Sequence, residues 1–453
     1  MCVRINYHTK IENFCIIAIG ILTFAERKMD FIQFILDHAT DDTARLLLSR
    51  QKYPDIDMPL AVSTIESRRK LRTKVPEWYA IPSLRYPLRL SSEQCSSTIT
   101  AEYKASLAAR LIAEKTPGKG LIADLTGGLG VDSWAFSSVA EEVLYNEMQK
   151  PLAEASAWNF KELGINNIKV LSKRIASRKD ADGKESFGVG EILDDFHPDL
   201  IFLDPARRSS EGRKVFLLED CSPDVLSLQD ELLEESPLLM LKLSPMADIT
   251  MLRRKLSHVR EVHVISSERE CKEILIVQDR DFSGEPSIFA LELGKESGKF
   301  MFMPSEEADS KPFMLHDLPD EGDILFEPGK ALSKAGAFNL VSARSGLLKL
   351  APSTHLYLSK SALQRELSSM GNKFIIKEIL PLNKRTLKDV VSRFPKADVS
   401  ARNIPLTSDE LRRRLGIQSS GPYHIFGVKL SMDGGNYLLI TEPFPSRTGG
   451  TTE

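Results

Sequence analysis

Residues 120–280 predict an α/β fold, a mostly parallel sheet wound by helices. Three observations carry that expectation. Short apolar runs alternate with longer amphipathic stretches, as strands alternate with crossover helices. The first run passes directly into a glycine-rich turn, Gly120-Leu-Ile-Ala-Asp-Leu-Thr-Gly-Gly-Leu-Gly-Val-Asp132. The fourth run ends on Asp204-Pro205 within Pro198-Asp-Leu-Ile-Phe-Leu-Asp-Pro-Ala-Arg-Arg208. In such folds ligands sit outside the carboxyl ends of the strands, where both of these motifs fall.

Taken in order, the strands are expected at 121–125, 142–146, 168–171, 200–203, 238–243, 261–265 and 273–278, with helices near 132–140, 150–163, 223–234 and 247–257. Only Ser266 to Cys271 separates the last two strands, a hairpin-length link, so the seventh should run antiparallel to its neighbour. The charged, glycine-containing stretch 173–190 reads as a long loop after the third strand. Asp180 or Asp182 could reach a ligand from it, or the stretch could be plain surface.

The glycine turn selects a ligand class. Glycines at 127, 128 and 130 permit positive φ and close backbone approach. The dinucleotide fingerprint G-x-G-x-x-G is absent, and so is G-x-x-x-x-G-K-[ST]. Asp124 and Asp132 flank the turn instead, and carboxylates there repel a pyrophosphate but favour a ligand carrying an ammonium and a sulfonium. An acid, Glu147, follows Asp124 by 23 positions at the end of the second strand. That is near the roughly 20-residue step at which these folds place a carboxylate on ribose hydroxyls.

On these residues the chain resembles the class I S-adenosylmethionine (SAM) dependent methyltransferases, whose sheet is Rossmann-like and seven-stranded. The resemblance implies SAM as cofactor. Asp124, Thr126, Gly128, Gly130, Asp132, Glu147 and Met148 would be its binding residues, Glu147 on the ribose and Met148 beside the adenine. It implies a catalytic position for Asp204 and Pro205, with Asp204 facing the transferring methyl. The segment before the first strand can close over the cofactor in that superfamily, which singles out Ser97, Thr100 and Lys104. Members that methylate amino groups carry Asp/Asn-Pro-Pro-Tyr/Phe where this chain has Asp204-Pro-Ala-Arg207. The missing aromatic puts base N-methylation in doubt, although a guanidinium can also stack on a base. Arg207 and Arg208 are candidates for substrate contact, or for salt bridges at a strand end. Carbon-5 methylation of a pyrimidine would need a nucleophilic cysteine, and Cys221 and Cys271 lie in no motif for it.

Composition sets outer limits. With 453 residues, several domains and a large core are expected. At 42% hydrophobic and 27% charged, the chain is an ordinary globular one. The five scattered cysteines favour a reducing compartment, the cytoplasm, over a disulfide framework. No spacing of Cys and His implies a metal. Residues 14–24 are apolar but too few to span a bilayer, and a start at Met29 would make 1–28 a non-native or disordered extension.

Residues 29–115 read as a helical amino-terminal region. Its basic helix from Ser63 to Lys74 lies near Trp78, Tyr79 and Tyr86, which suits either nucleic acid or internal packing. The methyltransferase domain then covers 116–283, followed by a small α+β, ferredoxin-like domain at 284–350. A further α+β unit spans 351–446, with a tail at 447–453. Residues 351–450 hold 15 Lys/Arg against 8 Asp/Glu, including Lys384, Arg385, Lys388 and Arg412 to Arg414. Such an excess fits an anionic partner or a solvated face. The run from Phe394 to Pro405, then Leu411 to Leu415 and His424 to Val428, resembles the THUMP-like domain of a group of bacterial methyltransferases. By analogy with RNA-binding THUMP modules this implies RNA, tRNA or rRNA, as partner and substrate, with Arg412 and Arg413 as contacts. Two alternatives stay open: methylation of a small molecule or protein, and a non-catalytic RNA-binding protein with a relict methyltransferase domain.

Overall fold

The computed structural model describes residues 31–176, 185–207, 218–295, 297–361 and 365–445. Arg208, Asp180 and Asp182 lie outside the described residues, as do residues 1–30. The chain divides into two compact units, one of residues up to 208 with 221–240, the other of 209–220 with 241 onward.

The first unit begins with helices, as expected. Helix α1 (Met58–Lys74) starts at Asp57, whose carboxylate accepts the Leu60 amide at 3.1 Å, and stops before Pro76. Its buried face includes Ala61, Ile65, Arg68 and Leu71, a helical repeat. The Arg68 guanidinium donates to the carbonyls of Tyr79 (2.8 Å) and Ile81 (3.1 Å) and lies over the Tyr79 ring. Arg69 and Lys74 likewise donate to backbone carbonyls, and Trp78 and Tyr86 are buried. Arg68, Arg69, Lys74, Trp78 and Tyr86 therefore serve packing, whereas Lys70 and Arg72 are exposed.

Helix α2 (Thr98–Ala113) opens on a capping box in which Ser97 and Thr100 satisfy each other's backbone amides. Four parallel strands follow: β1 (Leu121–Asp124), β2 (Glu142–Asn146), β3 (Ile168–Leu171) and β4 (Leu200–Leu203). They pair in the order β4-β1-β2-β3. Helices α3 (Val131–Ser137) and α4 (Lys150–Glu162) connect β1 to β2 and β2 to β3. The strands form because Ile122, Ala123, Val143, Leu144 and the whole of β4 are buried, as in a sheet covered on both faces. After β4 comes a short antiparallel ribbon, β5 (Ala206–Arg207) with β6 (Cys221–Ser222). Strand β7 (Leu238–Leu243) is buried along its whole length.

In the second unit, β8 (Val259–Ser267) and β9 (Glu270–Asp279) pair antiparallel, as the short link between them predicts. Strands β10 (Ser287–Leu293) and β11 (Gly298–Phe302) extend that sheet from β8, so residues 287–302 belong to it. A second, eight-stranded sheet holds the rest. Its strands are β12 (Phe313–Met314), β13 (Ile324–Pro328), β14 (Leu348–Ala351), β15 (Thr354–Ser359), β16 (Gly371–Pro381), β17 (Lys396–Arg402), β18 (Gln418–Lys429) and β19 (Asn436–Pro443). Their order is β12-β14-β15-β13-β16-β19-β18-β17. Helices α5 (Lys384–Arg393) and α6 (Ser408–Leu415) share one core with it through Val390, Leu411, Leu415, Ile425 and Ile440. Two helices, Lys330–Ala335 and Phe338–Ser345, are divided where Gly336 turns left-handed at φ +85°. No helix among the described residues is long and apolar enough to cross a membrane.

Candidate functional site

The glycine turn between β1 and α3 is the centre of a buried polar network in the first unit. Asp124, 1% exposed at the end of β1, accepts the Thr126 amide at 3.2 Å and the Ser133 hydroxyl at 2.5 Å. Burial pushes its carboxyl up to about 8, with the neighbouring Asp132 and Asp204 adding to the effect. Asp132, in the first turn of α3, accepts the Ser96 hydroxyl at 2.8 Å and lies 3.1 Å from Lys104 Nζ. Lys104, wholly buried in α2, also donates to Ser96 at 2.9 Å. A helix laid down before the first strand thus supplies a cation to the far side of the turn. Of Ser97, Thr100 and Lys104, only Lys104 reaches the turn, whereas the other two cap α2.

Glu147 closes the opposite side. Its carboxylate accepts the amides of Gly128 (3.0 Å) and Gln149 (2.8 Å), and burial raises its pKa. Carboxylate oxygens offer further lone pairs, so these bonds leave Glu147 able to accept from a ligand hydroxyl. Met148, next in the chain, is 57% exposed.

The glycines divide into two kinds. A Cβ on Gly127 would lie 2.1 Å from the Tyr145 ring, and one on Gly130 2.6 Å from Phe160. At both positions the protein's own aromatics leave no room for a side chain, and Gly130 also takes φ +90°, a left-handed backbone that favours glycine. Gly128 has φ +55° and open space where a Cβ would stand. Tyr145 locks the turn from below, its hydroxyl donating to the Gly128 carbonyl at 2.5 Å. Asn146 adds bonds to the carbonyls of Leu125 (3.2 Å) and Lys173 (3.0 Å).

Asp204 and Pro205 follow β4. The Asp204 amide donates to the Thr126 hydroxyl oxygen at 2.6 Å, so the end of β4 is tied to the glycine turn. Pro205 is buried. Arg207 lies in the β5–β6 ribbon, opposite Cys221. Asp124, Thr126, Gly128, Gly130, Asp132, Glu147 and Asp204 are therefore brought together on one turn, with Met148 at its rim. Ser96, Ser133 and Tyr145 were not foreseen, because only the fold reveals their approach. Cys221 is wholly buried, and burial pushes the Cys271 thiol up to about 11, which leaves neither as a ready nucleophile.

Arg412 and Arg413 lie in the second unit, in the last turn of α6. Arg412 donates to Asp409 (3.0 Å) and Ser419 (2.8 Å), and Arg413 to the Asp409 carbonyl at 3.4 Å. Among the described residues no group of His, Cys, Asp and Glu is arranged to hold a metal ion.

Comparison with known proteins adds to this geometry. A family model for a ferredoxin-like domain matches residues 325–365, and one for a THUMP domain-like module matches 371–443. A crystal structure described as a candidate methyltransferase of Porphyromonas gingivalis W83 is similar, with 31% identity and a TM-score of 0.76. That likeness covers 92% of this chain and 98% of the other. A rRNA methylase from Streptococcus thermophilus is 11% identical over 38% of this chain and 94% of its own, TM-score 0.26. The 16S rRNA N2 G1207 methyltransferase of T. thermophilus, in complex with AdoMet and guanosine, is 12% identical over 39% and 42%, TM-score 0.27. Those last two likenesses are too slight to carry an argument. No curated protein matches the chain.

Proposed function

The chain belongs to the family of bacterial methyltransferases that carry a carboxyl-terminal THUMP-like domain, and from that premise we propose that it transfers a methyl group from SAM to structured RNA, tRNA or rRNA. One observation carries the reading most directly. Three acids at three strand ends are joined through a single glycine turn: Asp124 and Asp204 through Thr126, and Glu147 through Gly128.

The donor set fits SAM. Asp124 and Asp132 are buried carboxylates beside a turn that lacks a phosphate-binding lysine, since Lys104 is engaged with Asp132 and Ser96. A phosphate would face carboxyl oxygens there, whereas an α-ammonium would meet an acceptor in Asp124. Glu147 would take the ribose hydroxyls, and Met148 would cover the adenine. When bound, SAM supplies the electrophilic methyl carbon. The protein's part is alignment: Asp204 at the tip of β4 holds the acceptor group in line and accepts its proton. Pro205, with fixed φ and no amide, keeps the chain after Asp204 extended.

The RNA part rests on charge in the second unit. Helices α5 and α6 pack side by side through Val390, Leu387, Leu411 and Leu415, which turns Lys384, Arg385, Lys388, Arg413 and Arg414 outward. None of those five makes a carboxylate ion pair within 4 Å among the described residues. Outward-facing cations on adjoining helices suit a phosphate backbone, although Arg413 and Arg414 also face Glu410. Mass spectrometry of nucleosides from total RNA of cells with and without this gene tests the proposal. A methylated nucleoside missing only without the gene supports it, and identical profiles overturn the RNA assignment. SAM titration separates the cofactor assignment: Asp124→Ala or Gly128→Trp should abolish binding, and no heat with the intact protein would end it.

A further inference from the structure

The last main-chain link between β1 and β4 is the Leu125 amide on the Phe202 carbonyl, at 3.1 Å. Beyond it the two strand ends stay joined through a side chain. The Thr126 hydroxyl oxygen accepts the Asp204 amide at 2.6 Å, while the Thr126 amide donates to Asp124. Thr126 thus stands between the acid at the cofactor end and the acid at the acceptor end, one bond from each. Its χ1 is restricted by β-branching, so it makes a stiff strut. Pro205 follows at once and offers no amide of its own, which leaves the Asp204 N–H as the donor that fixes this peptide.

We infer that Thr126 is a positioning residue for Asp204, setting the acceptor loop against the transferring methyl, rather than a ligand of the cofactor. The inference rests on the proposed methyltransferase reading of this site. Holding the Leu203–Asp204 peptide plane fixes where the Asp204 Cα and carboxylate point. Small displacements of an acceptor group from the line of attack cost rate far more than they cost binding.

The test compares Thr126→Val, which keeps shape and removes the acceptor, with Thr126→Ser, which retains it. In the full-length protein, methyl transfer from labelled SAM to total RNA of cells lacking the gene should fall about 10- to 100-fold in Thr126→Val. SAM affinity should stay within about threefold, the pattern of an interaction made only in the transition state. Thr126→Ser should restore turnover, and melting temperatures should match. Hydrogen exchange over residues 204–206 gives a second readout that needs no substrate: the Asp204 amide should exchange at least about tenfold faster in Thr126→Val. Unchanged exchange overturns the inference, and so does a loss of SAM affinity as large as the loss of turnover. If the wild type modifies no RNA, the RNA assignment fails instead. The exchange and affinity measurements then decide the role of Thr126 alone, faster exchange with intact affinity supporting it.

Discussion

Asp124→Asn is the most informative single change at this site. Asparagine is isosteric, and its carbonyl oxygen can still accept the Thr126 amide that Asp124 accepts at 3.2 Å. Its amide group can face the Ser133 hydroxyl, which lies at 2.5 Å from the carboxylate and has lone pairs to offer. The fold should therefore survive while the negative charge is lost. A hydrogen bond between charged partners contributes about 1.5–3 kcal/mol against about 1 kcal/mol for a neutral one. Near pH 8 and above, where the wild-type carboxyl ionises, the difference predicts a SAM affinity weakened by about 2- to 30-fold. The wild type adds a pH signature. Its Asp124 carboxyl is pushed up to about 8 by burial, so below that value the empty site holds a proton that the cationic ligand must displace. Between about pH 5.5 and 7, below the roughly 7.7–8.0 of an α-amino group, apparent SAM affinity should strengthen by up to about tenfold per pH unit. In Asp124→Asn it should be flat. Calorimetric titration across that range measures both effects. A wild-type affinity that does not change with pH, or an Asn variant that binds as tightly near pH 8, would refute the assignment of Asp124 to the ammonium.

The same proton has a stability consequence. A carboxyl raised on folding stabilises the native state fully at low pH and loses that contribution as pH rises toward about 8. Urea midpoints of the wild type should therefore drop relative to Asp124→Asn on going from acid to pH 8, and parallel curves would sink the idea. Lys104→Met breaks the buried contact with Asp132 and should destabilise the first unit by on the order of 3 kcal/mol, read from denaturant unfolding. Gly127→Ala drives a Cβ to 2.1 Å from the Tyr145 ring, so thermal melting should fall by the equivalent of about 1–3 kcal/mol. In the second unit, Lys388→Glu with Arg414→Glu should weaken RNA retention and flatten its salt dependence. The slope of log affinity against log salt should shrink by about 0.7–0.9 per lost phosphate contact, and no change in slope would dissociate these helices from RNA.

Much of this architecture was readable from the residues. Strands β1, β2 and β4 stood out because both faces are covered, so their sequences are apolar runs with acids or amides at the ends. Strand β17 leaves little signal in the sequence, for a physical reason. It lies at the edge of its sheet, and its half-buried or buried positions Ala397, Val399 and Ala401 are too small to mark a hydrophobic stripe. At the site, Asp124, Glu147 and Asp204 were legible because strand ends are fixed by local pattern. The roles of Ser96, Ser133 and Lys104 were harder to read. Each depends on how a distant helix approaches the turn, and spacing along the chain holds no record of that approach. The basic helix α1 shows the reverse error available to sequence reading. Its arginines look like an anion surface, yet Arg68 is buried and answered by carbonyl oxygens, which a sequence does not display.

The contact of Lys104 with Asp132 also bears on how this protein can be dissected. A fragment trimmed to begin at the first strand would discard Lys104 and Ser96, the partners that answer the Asp132 carboxylate in α3. It would lose as well the paired bonds between the main chain at Arg85 and the Asn159 side chain, at 2.8 and 2.9 Å, which brace α4 from the same leading segment. The smallest portion able to keep the glycine turn in shape therefore includes the helices ahead of the sheet.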